Sequence, residues 1–360
     1  KLPILTRTDL QNSFNEITFV DTVKHTSTAT TGGSTGEPVK IRYDKRLPYQ
    51  LYGWRTLSWW GLNPWDDGGY VWRNPRTTYK SKIANHLLWW PTRKLRLDAS
   101  AMSKESMLSF VRDWNRVKPP QLQGYVGAMV ELAQFVDDSN IEFNKPEVVW
   151  VTSAPLSKVQ RSLLERVFRA PVYDQYGCCE LPWIAAQCEV KQYLHVNAEI
   201  VGLEFVDDNN KEVKSGEWGR LLLTRFYDLT FPIIRYEVGD NGRFVNFRCS
   251  CDRTLPLIDS IKGRTTDTIR LPSGRILSGD YLTTIFDDFP SAVSSFQVVQ
   301  KRDSSLVVRY VASEPDSIDN VISKIKKTLE GKVNSEVSVS FKRVNEIRHE
   351  RGKLRFVVKE

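Results

Sequence analysis

The sequence predicts an α/β protein: a large α/β domain over residues 1–265, then a small α+β domain over 266–360. Three observations carry this. Residues 148–174 read strand, helix, strand, as VVWVT, PLSKVQRSLLERVFRA and APVYD, which is the crossover unit of an α/β sheet. Residues from 293 alternate again, as strand (SFQVVQ), strand (SLVVRYVA), helix (317–331), strand (EVSVSF) and a final run LRFVV, a pattern for a small domain with its own helix. The polar stretch GRTTD at 263–267 joins the two parts. At 360 residues the chain has length for about two or three domains of roughly 150 residues.

Each element follows from local pattern. Residues 26–41, TSTATTGGSTGEPVKI, set hydroxyls among Gly32, Gly33 and Gly36 and end in Pro38 and a short apolar strand. Such a loop can converge its N–H groups on an anion, or it is a solvated Ser/Thr/Gly linker. It is not the NTPase P-loop, because Gly36 is followed by Glu37 and Pro38. Residues 47–90 hold Trp54, Trp59, Trp60, Trp65, Trp72, Trp89 and Trp90; aromatics this dense form core or interface, or line a ligand pocket. Over 103–117, Ser103 stands at an N-cap position and Met107, Phe110, Val111 and Trp114 recur at helical spacing, predicting a helix with one buried face. In the crossover helix, Leu156, Val159, Leu163, Leu164, Val167 and Phe168 share one side. The following strand places Asp174–Glu180 just past its carboxyl end, where ligand sites of such sheets lie. Short β-rich segments continue to about 262.

The net charge of +8 favours anionic ligands. The basic residues are scattered and no nucleic-acid motif is present, so small anions are expected rather than DNA or RNA. No apolar run approaches the roughly 20 residues of a membrane span and no signal-peptide pattern is seen. Five cysteines, an odd number, argue against a disulfide framework and for a reducing cytoplasm.

Four further stretches carry chemistry: DQYGCCE at 174–180, RYEVGD at 235–240, GRTTD at 263–267 and RGK at 351–353. Together with TTGGSTGEP, in this order, they resemble the adenylate-forming superfamily of acyl-CoA ligases. The branch they look most like is that of phenylacetate–CoA ligase-like proteins, including the CapK proteins of capsule polysaccharide biosynthesis. The resemblance extends to LQGYVGAM, AAQCEVKQYLHV and GEWGRLLLTRFYDLTFPIIRYEVGD and covers essentially the whole chain. It implies a large multilayer α/β domain with a small mobile C-terminal domain. Family members usually carry more residues ahead of KLPILTRTDL, which fits a missing N-terminal segment.

The resemblance also implies roles. Thr31, Gly32, Gly33, Ser34, Thr35 and Gly36 would bind the β- and γ-phosphates of ATP with backbone and hydroxyl donors. Tyr176, with Gly177 beside it, would stack on adenine, and Asp174 would accept from its exocyclic amine. Glu180 would hold Mg²⁺, a hard cation that takes carboxylate and phosphate oxygens together. Asp240 would accept from the ribose hydroxyls, and Arg264 would reach ribose or the α-phosphate. Lys353 would be the mobile catalytic lysine, bridging carboxylate and α-phosphate as charge develops. Thr266 and Asp267 stand at the hinge. Departures from the family pattern are Thr266 for the usual aspartate, Glu37 for a frequent lysine, and Cys178 and Cys179 at small or hydroxylic positions. Glu37 makes the loop a backbone-and-hydroxyl binder and leaves more charge work to Mg²⁺, Arg264 and Lys353.

Cys188, His195, Cys249 and Cys251 offer three thiols and an imidazole for a closed tetrahedral Zn²⁺ site of structural type, stapling two β-rich segments. The alternative is free, partly buried thiols and an ordinary histidine. The expected partners are a small-molecule carboxylic acid, ATP and AMP, and coenzyme A, with a homodimer as a possible assembly. Two other readings stand beside this one: acyl transfer to an amine, and a nucleotide-binding scaffold without turnover. The acyl pocket is not legible, although Tyr125, Ala154, Pro155 and Ile184 neighbour the motifs.

Overall fold

The computed structural model describes residues 2–30, 39–73, 89–156, 158–259, 261, 268–278, 285–286, 289, 292–312, 318–345, 347 and 357–360. They divide into two compact units, one within Lys1–Ala29 and Lys40–Arg264, the other within Thr30–Val39 and Thr265–Glu360.

The first unit opens with helices α1 (Arg7–Asn12) and α2 (Phe14–Ile17), strands β1 (Thr26–Thr30) and β2 (Lys40–Asp44), and helix α3 (Gln50–Trp59). Strands β3 (Gly68–Trp72) and β4 (Lys94–Asp98) follow, then α4 (Lys104–Val117), β5 (Gln121–Tyr125), α5 (Val126–Asp138), β6 (Val148–Thr152), α6 (Lys158–Phe168) and β7 (Val172–Tyr176). It continues with β8 (Ala185–Gln187), β9 (Leu194–Val196), β10 (Val201–Val206), β11 (Gly219–Arg225), β12 (Tyr236–Gly242) and β13 (Leu257–Ile258).

Eight strands form one sheet in the order β13-β9-β8-β7-β6-β5-β3-β4. The strands from β4 to β7 run parallel, and β8, β9 and β13 extend the sheet with antiparallel pairings. All five residues of β6 are buried, as expected of an apolar strand covered on both faces. On one face, α4 contributes Met107, Phe110, Val111 and Trp114, the residues its period selects, to a core shared with α5 and α6. Burying each such side chain stabilises the fold by about 1.5–3 kcal/mol. Ser103 caps α4 by accepting from the N–H of Ser106, and Lys118, in the left-handed region, ends it. The other face packs Trp150 and Tyr173 against Leu57, Trp60 and Leu62. A separate antiparallel sheet has the order β10-β11-β12.

The tryptophans do not act as one group. Trp60 is buried, Trp59 and Trp72 are partly so, and Trp65 and Trp90 are 71% and 74% exposed. Density alone does not say which of them face the core.

In the second unit, β14 (Thr268–Arg270) and β15 (Ile276–Ser278) form a hairpin. Strands β16 (Val293–Gln300) and β17 (Leu306–Ala312) pair antiparallel, helix α7 (Ile318–Val333) crosses to β18 (Val339–Arg343) parallel to β17, and β19 (Val357–Lys359) joins β16. Ile318, Ile325, Leu329 and Val333 mark the buried stripe of α7.

Candidate functional site

The carboxyl ends of β5, β6 and β7 lie side by side, with Tyr125 opposite Thr152 and Val151 opposite Asp174. Asp174 and Tyr176 are inside β7 rather than past its end, because Gln175 and Tyr176 also pair with β8 on the other edge. The loop that follows is closed on itself. Cys178 and Leu181 exchange backbone hydrogen bonds, Ile184 donates its N–H to Tyr176, and the Gln175 amide donates to the carbonyls of Tyr176 and Pro182, both at 2.7 Å. Gly177 is required here, since a Cβ would lie 1.9 Å from the carbonyl oxygen of Pro182.

Two residues singled out in sequence, 64 positions apart, meet at this edge: the Tyr176 hydroxyl donates to Oδ2 of Asp240 at 2.8 Å. Burial and the Asp240 carboxylate push the Tyr176 phenol well up, so it stays a donor. Glu180, on the closed loop, is 5% exposed. Burial, and then the negative charge of the nearby Glu180 carboxylate, pushes the Tyr236 phenol and the Cys178 thiol up and keeps both protonated. Burial likewise raises the Asp174 carboxyl to about 7, with Arg161 opposing it. Tyr236 received no role from sequence, although it lies in RYEVGD. The Tyr125 ring sits edge-on to Trp72 at 4.6 Å, and Ile184 is fully buried. Thr31, Gly32, Gly33, Ser34, Thr35, Gly36, Arg264, Thr266, Asp267 and Lys353 lie outside the described residues.

A second cluster forms on the antiparallel extension. Cys188 follows β8, His195 is central in β9 beside Leu257 of β13, and Cys249 and Cys251 come from the turn before β13. Their ligating atoms all lie within 4.8 Å of one another. Cys188 and Cys249 sulfurs are 3.6 Å apart, and Cys251 Sγ is 3.4 Å from His195 Nε2. With Zn–S of about 2.3 Å and Zn–N of about 2.0 Å, a tetrahedron has S···S edges of about 3.8 Å and S···N edges of about 3.5 Å. The donor set and its spacing therefore fit that ion. Burial and the Arg253 guanidinium push the His195 imidazole down, favouring the neutral form that binds metals. Trp59 packs edge-on to His195 and carries Arg253 on its ring.

Residues 269–360 match the family model of the CapK C-terminal domain. Protein CapK of Staphylococcus aureus is 24% identical over 99% of this chain and 79% of its own length. Phenylacetate-coenzyme A ligase of Thermus thermophilus is 27% identical over 36% of this chain and 30% of its own length. The crystal structure of 2-hydroxyisobutyryl-CoA ligase in the postadenylation state superposes with a TM-score of 0.63 at 18% identity, over 100% of this chain and 80% of that one. The chain is a homologue of CapK with the fold of the adenylate-forming CoA ligases.

Proposed function

We propose that this protein activates a carboxylic acid with ATP and passes the acyl group to the thiol of coenzyme A. In the first step a carboxylate oxygen bonds to the α-phosphorus and the bond to pyrophosphate breaks. In the second the thiolate sulfur bonds to the acyl carbon and AMP leaves with the electrons of the mixed-anhydride bond.

The observation that carries this reading is the Tyr176–Asp240 hydrogen bond beside buried Glu180, at the carboxyl edge of a parallel sheet. Tyr176 presents its ring to adenine while its hydroxyl fixes the plane of the Asp240 carboxylate that receives ribose hydroxyls. Asp174 accepts from the exocyclic amine. Glu180 is the carboxylate for Mg²⁺, which when bound offsets charge on the phosphates. Thr31–Gly36 cradle phosphates, Arg264 reaches ribose or the α-phosphate, and Lys353 stabilises the charge that develops in the displacement. Residues 266–360 act as the mobile domain, turning at Thr266 and Asp267 between half-reactions. Cys188, His195, Cys249 and Cys251 hold a structural Zn²⁺; four protein ligands leave no open position for catalysis. The cytoplasm is the compartment that keeps these thiols reduced.

The test is acid-dependent ATP–pyrophosphate exchange across a panel of carboxylic acids, repeated with Lys353→Ala. Exchange with at least one acid is expected, falling about 10²- to 10³-fold in the variant. Exchange with no acid, or undiminished exchange without Lys353, contradicts the reading. Product identification with coenzyme A and with amines then separates thioester from amide formation.

A further inference from the structure

The loop that carries Glu180 is held from outside by two side chains from distant strands. The Tyr43 hydroxyl, from β2, donates to the carbonyl of Cys179. Arg225, from the end of β11, donates through Nη1 to the carbonyl of Glu180 at 3.3 Å. Two successive peptide carbonyls are thus gripped. Because those peptide planes set the backbone dihedrals of Glu180, they set the direction in which its side chain leaves the main chain.

The two gripping residues also hold each other. The Arg225 guanidinium lies 5.2 Å from the centre of the Tyr43 ring, and its Nη2 donates to the carbonyls of Arg42 in β2 at 3.2 Å and Phe231 at 2.6 Å. Asp228 lies 3.3 Å from Nη2, and both side chains are fully buried. Asp228 accepts in turn from the N–H of Asp44, the N–H of Thr230 and the hydroxyl of Tyr49. A buried ion pair contributes little net stability unless its remaining hydrogen bonds are satisfied, and its best-attested use is to fix register. Here it ties β2 to the loop that bears Glu180.

We propose that Tyr43 and Arg225 are positioning residues for the Glu180 carboxylate, fixing it relative to β2 so that it meets the Mg²⁺ of the nucleotide. This rests on the adenylation reading above. Both act through backbone carbonyls.

Tyr43→Phe and Arg225→Lys, with wild type, are compared in two measurements. One is the Mg²⁺ concentration for half-maximal pyrophosphate exchange. The other is Mn²⁺ binding in the presence of ATP, followed by electron paramagnetic resonance. Loss of one hydrogen bond predicts a rise of about 3- to 10-fold in the Mg²⁺ half-saturation point and in the Mn²⁺ dissociation constant for Tyr43→Phe, with KM for the acid unchanged. Arg225→Lys gives a larger rise if it folds; Tyr43→Phe, which keeps the ring, carries the test if it does not. A lowered Tm with unaltered metal dependence makes the pair merely structural and overturns the proposal. Wild type that binds Mn²⁺–ATP but exchanges with no acid overturns the adenylation reading alone, and the Mn²⁺ constants still decide the positioning role. Wild type that binds no Mn²⁺–ATP overturns both.

Discussion

The side-chain oxygen of Gln187 accepts the backbone N–H of Asp174 at 3.0 Å. The same oxygen accepts from Arg161 at 2.7 Å, and the Gln187 amide donates to the carbonyl of Lys191 at 3.0 Å. Gln187 directly precedes Cys188, so the hairpin bearing Cys188 and His195 is tied to the strand bearing Asp174 and Tyr176.

Loss of the proposed zinc is therefore expected to reach the proposed nucleotide site. Purified protein should carry about one equivalent of zinc, and its removal by a chelator or by Cys188→Ser should lower Tm by about 5 °C or more. ATP binding should weaken about 3- to 10-fold, the effect of one perturbed buried hydrogen bond. Metal analysis, thermal melts and titration calorimetry measure the three. Less than about a tenth of an equivalent of zinc in protein never exposed to chelator sinks the metal assignment.

Tyr176→Phe separates the ring from the hydroxyl. The ring can still stack on a base, but Asp240 loses the donor at 2.8 Å. KM for ATP in the exchange reaction should rise about 3- to 10-fold, while Tyr176→Ala, which also loses stacking worth about 1–3 kcal/mol, should rise further. An unchanged KM in both variants rules out this edge as the nucleotide site.

What the sequence made legible, and what it hid, follows from the range of the forces involved. The buried face of α4 was readable because Met107, Phe110, Val111 and Trp114 obey one local period. The thiol and imidazole cluster was readable because its residue types are scarce and chemically distinct. The strand boundary at Asp174 was misplaced because β8, a pairing partner of three residues, has no periodic signature of its own. Tyr43 and Arg225 were invisible: they bind main-chain carbonyls, which every residue has, so no residue pattern marks their targets.

Asp174 gives a pH dependence with a definite sign. Its carboxyl moves from the ordinary 3.8 to about 7 in the folded chain, chiefly by burial. Between those values the folded state binds more protons than the unfolded one, so stability falls as pH rises from about 4 to about 7 and stays lower above that. Asp174→Asn removes this contribution. The variant should match wild type near pH 4 and exceed it by about 2–4 kcal/mol near pH 8, measured by urea unfolding. ATP affinity of wild type should rise through the same window as the carboxylate forms, and that of the variant should not. Parallel stability profiles for the two proteins exclude a raised Asp174.

Gly177→Ala tests whether the loop's shape or only its side chains matter. The added Cβ would lie 1.9 Å from the carbonyl oxygen of Pro182, with the carbonyl carbon at 2.6 Å. That carbonyl cannot swing away without giving up the 2.7 Å hydrogen bond from Gln175, whose amide also holds the Tyr176 carbonyl. The strain must instead displace the Cys178–Leu181 turn, and Glu180 with it. Overpacking of this kind costs about 1–3 kcal/mol, so Tm should fall by several degrees while the fold survives. Exchange activity should fall much further, by about 10²-fold, since a 1 Å misplacement of a positioned group has that effect. The two readouts must separate: a variant that loses stability but keeps near-wild-type exchange shows that the position of Glu180 is not critical to the chemistry.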